Sequence, residues 1–443
     1  MDTRREFLKK TAIGAAGLAL TSTGYARILG ANDKIRVGII GFSDRARQSL
    51  LPAFLAQANE LNFEIVGVSD IWNRRREEAK KYFEEKGIRV KLYPNNEALY
   101  DDKDIDAVII STADFQHALH AVQAVEAGRD AYVEKPFAET MNDARKALEA
   151  VKKSGKIVQI GSQRRSAPNY IAANEYIRSG KFGPIVMVEM SWNVNQPERW
   201  RRPDLVASIR ESDTDWKRFL LNRPYESWDP RKYLEYRLFW PYSSGIPGQW
   251  MSHQIDTVHW FTGLSHPRSV TANGGIYLWK DGRKNVDTMT AVFDYGPADD
   301  PKSGFQVVYT SRFTNAHGGT KELYFSNGGT LNLDTNKITP DGGLEKEDAS
   351  VMGMQPNLLQ PMELPSIKAS TSANTGSDPM TYLHMRNWME SVRERKTPHA
   401  DVTAGYHHSI ANIMVTAALH TGEKVTFDEA SQNVLAGGKV FTY

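Results

Sequence analysis

Ile35-Arg36-Val37-Gly38-Ile39-Ile40-Gly41-Phe42-Ser43-Asp44-Arg45-Ala46 carries a short apolar segment into a glycine turn and then into a helical pattern. The apolar segment reads as a buried strand. A glycine at the end of such a strand lets a pyrophosphate approach the backbone at the N-terminus of the next helix. Gly41 holds the first glycine position of that turn, Ser43 stands at the second and Ala46 at the third. Alanine is tolerated where the helix packs on the strand, and the serine hydroxyl could donate to a phosphate. Asp70 follows the run Phe63–Ser69. An acidic residue there accepts from ribose hydroxyls and disfavours a 2′-phosphate. Arg74 and Arg75 come within a turn and could bind that phosphate instead, so NAD is the expected cofactor and NADP an alternative.

Outward from this unit the pattern alternates. Strands are expected at Phe63–Ser69, Ala107–Ser111, Ala131–Glu134 and Ile157–Gly161, and helices at Arg45–Ala58, Arg74–Lys86, Gln116–Ala127 and Asn142–Ser154. Short apolar strands alternating with helices imply a parallel sheet covered on both faces. After about residue 165 longer alternating runs predict a mainly antiparallel sheet: Ile185–Asn193, Arg268–Trp279, Asp287–Tyr295, Phe305–Thr314 and Glu322–Ser326. Helices are expected at Asn169–Ser179, Met380–Arg395 and His407–Gly422, a long loop region at 197–248, and irregular chain at 340–378. The fold class is therefore α/β: an N-terminal Rossmann parallel sheet over 34–165, then an α+β domain with a large open sheet over 166–443.

Composition narrows the function. The chain has 443 residues, no cysteine, and a net charge of +2. The first 26 residues hold four basic and two acidic residues, leaving 51 of each sign in the remainder. That balance argues against a nucleic-acid partner, and the missing thiols exclude disulfides, thiolate metal sites and cysteine nucleophiles. Thr3-Arg4-Arg5-Glu6-Phe7-Leu8-Lys9, a Gly/Ala-rich run and Gly24-Tyr25-Ala26 make residues 1–26 a signal peptide of twin-arginine type. The mature protein is thus expected to be exported, periplasmic, and without a membrane span.

Ala131-Tyr132-Val133-Glu134-Lys135-Pro136 ends a short strand on a charged turn. Pro136 cannot continue a ladder, so Lys135 is held at a strand end, where lost hydration can move an amine toward a catalytic range. Strand, glycine turn, strand-terminal acid and this turn, in this order, resemble the glucose–fructose oxidoreductase, inositol dehydrogenase and rhizopine-catabolism (Gfo/Idh/MocA) family, from about Lys34 to Val434. Ser111-Thr112-Ala113-Asp114-Phe115-Gln116-His117 resembles the family's Thr-Pro-x-x-x-His stretch, with Ala113 for the proline. Gly161-Ser162-Gln163-Arg164-Arg165 resembles the segment that approaches the nicotinamide.

The resemblance implies hydride transfer between NAD(P) and a sugar or polyol hydroxyl, with Lys135 at that hydroxyl. Around the cofactor it implies Gly41, Phe42, Ser43, Arg45, Ala46 and Asp70, then Thr112, His117, Glu134, Lys135 and Gln163. Gly248-Gln249-Trp250-Met251-Ser252-His253 matches the family's Asp-x-x-x-His helical turn, with Gln249 in the aspartate's place and His253 as the histidine. Glutamine cannot accept the hydroxyl proton, so proton transfer falls to His253 and Lys135. Substrate contacts are expected from Arg165, Trp192, Asn193 and Trp200, and from Arg201, Arg202, Tyr236, Arg237 and His253. A metal held by His253, Asp256 and His259 fits by spacing but is not needed by the reaction, and none is expected.

The leading expectation is an exported NAD-dependent enzyme acting on a secondary ring hydroxyl, such as C3, of a sugar or glycoside. An exported enzyme meets no free NAD, so the cofactor would be tightly held and recycled. A second reading is a redox-assisted glycosidase that oxidises, eliminates and re-reduces, with Tyr236, Tyr242 or His253 as the extra base. A third is a non-catalytic nucleotide- or sugar-binding protein. The family likeness implies a homo-oligomer, dimer or tetramer.

Overall fold

The computed structural model describes residues 34–442 apart from 298, 301–302, 342–343, 354–355, 357 and 367–377. The segment read as an export signal, and parts of the 340–378 stretch, lie outside the described residues. Six strands form the first sheet: β1 (Ile35–Ile40), β2 (Phe63–Ser69), β3 (Lys91–Tyr93), β4 (Ala107–Ile110), β5 (Asp130–Val133) and β6 (Val158–Ile160). They run parallel in the order β3-β2-β1-β4-β5-β6. The sequence pattern gave five of these strands. It missed β3, a three-residue edge strand with no fully buried side chain and hence no apolar signature. The order reverses between β1 and β4, and a crevice opens there at the carboxyl ends of the strands. Gly41, Asp70, Thr112 and Lys135 all sit just beyond those ends.

The helix expected over Arg45–Ala58 begins as a π-helical turn, Ala46–Leu50, and becomes α-helical over Leu51–Leu61. Pro52 lacks the N–H that would extend a regular ladder into the preceding turn.

The second sheet has eleven strands: β7 (Ile185–Asn193), β8 (Ser269–Gly275), β9 (Thr288–Tyr295), β10 (Phe305–Arg312), β11 (Thr320–Ser326), β12 (Gly329–Asn332), β13 (Lys337–Thr339), β14 (Met362–Glu363), β15 (Val425–Asp428), β16 (Asn433–Ala436) and β17 (Lys439–Val440). Their order is β14-β13-β12-β11-β7-β10-β9-β8-β15-β16-β17. Neighbours are antiparallel except β7 and β10, which pair in parallel at the centre. Met289, Ala291, Phe293 and Tyr295 alternate along β9 and are all buried, as a sheet with one packed face requires. Helices Ser252–Thr262 and Val402–Thr421 cover that face. The 197–248 stretch holds short helices, Pro203–Ser208, Trp216–Leu220 and Pro230–Leu234, and Lys346–Met352 is helical inside the stretch read as irregular.

Helices from beyond residue 165 pack back across that division, and Val402–Thr421 reaches β6 and helix Met141–Ser154. Helix Pro379–Glu394 packs back on the first sheet, where Trp388 lies 6.2 Å from Phe63 and 6.0 Å from Tyr132, ring to ring. Arg393 donates to Leu61 O and Asn62 O, both at 2.7 Å, and ties helix Pro379–Glu394 to the end of helix Leu51–Leu61.

Candidate active site

One cleft, of about 430 Å³, runs from Asp70 along the strand ends to the second sheet, a size usual for small-molecule sites. At its nucleotide end Gly41 has φ +84°, and a Cβ there would lie 2.8 Å from Ser111 O, so the turn needs glycine. Ser43 Oγ shares a hydrogen bond with Ser111 Oγ at 2.6 Å and accepts from Ala46 N at 3.2 Å. The serine that replaces the second glycine is therefore a helix cap, and its hydroxyl is engaged. Asp70 accepts from Phe42 N at 2.8 Å and Trp72 N at 2.9 Å. Burial pushes its pKa up against these donors and the Arg75 and Arg76 charges.

Phe42 and Ala46 are fully buried. Phe42 packs on Tyr82 and Phe83, so both residues brace the turn from behind and do not face the cleft. Arg75 is held by Asp44 at 3.1 Å and Glu78 at 2.6 Å, and Arg74 by Glu78 at 3.0 Å. Both arginines that could have bound a 2′-phosphate are thus compensated. Thr112 Oγ1 is buried without a hydrogen-bond partner on the cleft wall. A glycine turn, a strand-terminal acid and an orphaned hydroxyl fit a dinucleotide with a free ribose diol.

Beneath the turn, Arg45 Nε meets Glu134 Oε1 at 2.9 Å. Glu134 Oε2 accepts from Lys135 N at 3.1 Å. His117 places Nδ1 2.8 Å from Pro136 O and Nε2 3.3 Å from Thr112 O, which links two strand-end turns. All three side chains border the cleft with Gln163, yet their contacts hold Lys135 in place.

Lys135 Nζ donates to Gln249 O at 2.7 Å and lies 3.4 Å from Gln249 Oε1. Burial lowers its pKa to about 8, against the Glu134 and Asp114 charges that favour the ammonium. Gln249 belongs to a π-helical turn, Pro247–Met251, where the sequence suggested an ordinary helix. His253 borders the same cleft, with its ring 5.8 Å from Trp192. Burial first, then the Lys135 charge, keeps its pKa well below the ordinary value, so the ring is a neutral acceptor.

Asp114, to which the sequence reading gave no role, lies behind Gln249. It is fully buried and accepts from Gln249 Nε2 and Ser243 Oγ, both at 2.6 Å. Its position two residues after Thr112, in a strand-end turn, was the available signal. Trp250, Arg164 and Arg199 line the cleft without having been singled out.

Of the expected substrate residues, Trp192, Arg202, Tyr236 and Arg237 line the cleft. Trp192 stacks on Trp250 at 5.7 Å and 12°, giving an aromatic wall. Four others are directed elsewhere. Arg165 makes a two-pronged pair with Asp256 at 2.8 and 2.9 Å. Asn193 donates to His317 O at 3.3 Å, Trp200 packs edge-on against Phe313 at 4.9 Å, and Arg201 is held by Glu235 at 2.9 Å. In each case a partner distant in sequence, and not a ligand, fixes the side chain. The metal arrangement weighed from spacing is also preempted: Asp256 is taken by Arg165, and His259 Nε2 lies 2.8 Å from Tyr295 Oη.

Residues 35–162 match the family model of the Gfo/Idh/MocA oxidoreductase family, NAD-binding Rossmann fold. This segment is therefore similar to the NAD-binding domains of that family. Inositol 2-dehydrogenase of Salmonella typhimurium is 32% identical over 196 residues, 44% of this chain and 55% of that enzyme. The 1,5-anhydro-D-fructose reductase of Ensifer adhaerens is 30% identical over 196 residues, 42% of this chain and 56% of the reductase. The chain spans about half the length of these curated relatives. The WlbA dehydrogenase from Bordetella pertussis, crystallised with NADH and UDP-GlcNAcA, has a TM-score of 0.64 at 16% identity, covering 90% of this chain and 99% of that one. That likeness establishes the two-sheet fold.

Proposed function

We propose that this protein is an NAD-dependent oxidoreductase that acts on a secondary ring hydroxyl, at C3, of a sugar or glycoside. The observation that carries the reading is Lys135: a half-buried amine, lowered to about 8, held by Gln249 O at 2.7 Å and bordering the dinucleotide cleft with His253. When bound, the nicotinamide supplies the hydride acceptor or donor. In the oxidation direction the neutral Lys135 amine accepts the hydroxyl proton, and in the reverse direction the ammonium returns it. Gln249 O holds Lys135 Nζ in place from the side. His253 offers a second acceptor for a neighbouring hydroxyl, and the Trp192–Trp250 wall gives the apolar ring face a surface and excludes water. The relatives are named as an inositol dehydrogenase and an anhydrofructose reductase, which supports a sugar or polyol as the substrate class.

The same reading has the chain exported through its paired arginines, with the cofactor tightly held and the subunits paired. Denaturing the purified protein and measuring released nicotinamide, then screening a sugar and glycoside panel by mass spectrometry, tests it. A keto product formed with cofactor reduction supports it. Protein that neither carries nor takes up NAD sinks it, and free sugar in place of a keto product moves the assignment to oxidation-assisted glycoside cleavage.

A further inference from the structure

A carboxylate with no exposed surface is costly unless its surroundings use it, and Asp114 is 0% exposed. Its Oδ2 accepts from Ser243 Oγ and from Gln249 Nε2, both at 2.6 Å, and its Oδ1 lies 3.5 Å from Arg237 Nε. Gln249 reaches Lys135 from its other side, through its backbone oxygen at 2.7 Å and its amide oxygen at 3.4 Å. One glutamine therefore bridges a buried carboxylate and the half-buried amine. A glutamine amide can point either way, and its oxygen and nitrogen ends differ in what they can bind. With Asp114 taking the NH₂ end, the oxygen end is the one left for Lys135. The reversed amide would set oxygen against carboxylate and NH₂ against ammonium.

We infer that Asp114 is a positioning residue of the hydride-transfer site: it locks the Gln249 amide oxygen toward Lys135 and supplies the buried negative charge that governs when Lys135 releases its proton. The inference rests on the dehydrogenase reading above.

The groups around the pair fix the sign. Glu134 and Asp114 favour the Lys135 ammonium, while burial, Arg237 and Arg45 oppose it. Asp114 in turn faces Arg237 and Ser243, with His117 and Glu139 near it. Glu139 is pushed up to about 8 by burial and by the Asp114 charge, and it accepts from Ser244 N at 3.1 Å. Removing the Asp114 charge takes away one of the terms that favour the ammonium. The amine must then titrate lower.

The test reads the amine directly, without a substrate. Acylation of Lys135 by acetic anhydride is followed on its peptide by mass spectrometry, across pH, in the full-length protein with NAD added. The wild-type half-point is expected near 8. Asp114→Asn should lower it by about one pH unit, the size typical of losing a nearby opposite charge. The double variant Asp114→Asn/Gln249→Asp, which returns a carboxylate beside Nζ, should restore it. A half-point unmoved in Asp114→Asn overturns the inference, and Asp114→Ser takes its place if the asparagine variant does not fold. As a second readout, Gln249→Met keeps the charge but cuts the bridge, so kcat should fall about tenfold with KM within about twofold. An unchanged kcat removes the locking role. A moved half-point in a protein that oxidises no sugar would overturn the dehydrogenase reading and leave the Asp114–Lys135 coupling standing.

Discussion

At the glycine turn nearly every charge is met by a partner, whereas around Lys135 like charges crowd one another. Arg75 is shared by Asp44 and Glu78, and Arg45 is matched by Glu134. Along the same cleft Lys135, Arg237, Arg199 and Arg202 gather, with Asp114 3.5 Å from Arg237 and Asp44 3.4 Å from Arg202. Arg199 is pushed down to about 10 by burial and by the Arg237 and Arg202 charges. The compensated end meets its arginines with nearby carboxylates and borders the part of the cleft that fits a dinucleotide. At the Lys135 end burial holds an amine at about 8, within the range that proton transfer uses.

The largest test of this contrast is at its reactive end. Lys135→Met should lower hydride transfer by about 10²–10⁴-fold, the usual value of a general acid–base group, with NADH still bound. Stopped-flow reduction and fluorescence titration read the two effects separately, and activity within tenfold of wild type would move the proton chemistry to His253. In the wild type, oxidation should rise with pH through about 8, because the unprotonated amine is the base.

Breaking the compensated end should cost stability before activity. Glu134→Gln leaves Arg45 buried without its counter-charge, a loss of about 3–5 kcal/mol. Calorimetry should show a melting temperature lower by roughly 5 °C. A smaller drop would mean that water reaches the pair. Asp70→Ser should weaken NADH by about tenfold while leaving NADPH nearly unaffected, since the acid that rejects a 2′-phosphate is gone. An unaltered preference in parallel titrations would place the ribose elsewhere. Arg74→Ala should be nearly silent, because its pair with Glu78 is half exposed and worth about 0.3–0.5 kcal/mol. A marked loss of cofactor affinity would show that Arg74 reaches the nucleotide.

The same contrast separates what could be read from the chain. The nucleotide end is built from local sequence: Gly41 follows its own strand, Asp70 ends the next, and Lys135 precedes a proline at a third. Apolar runs and breakers mark these positions whatever the rest of the chain does. The irregular features escaped for an equally local reason. β3 is too short and too polar to leave a period, and the π-helical turns at Ala46–Leu50 and Pro247–Met251 have the composition of ordinary helix. At the reactive end the sequence pointed to residues whose side chains the fold then directs to distant partners. Arg165 looked like a substrate residue until Asp256, 91 positions away, claimed its guanidinium.

By itself the sequence determined the Rossmann sheet, the glycine turn and the strand-end lysine, because each is set by residues within a few positions of one another. Only the tertiary structure decided that Asp114 would meet Gln249 across 135 residues, that Gln249 would meet Lys135, and that Arg165, Asn193, Trp200 and Arg201 would be taken by distant partners. Those pairings depend on how the second sheet and its long connections close over the first. The burial that this closure imposes is what moves the Lys135 amine into a working range.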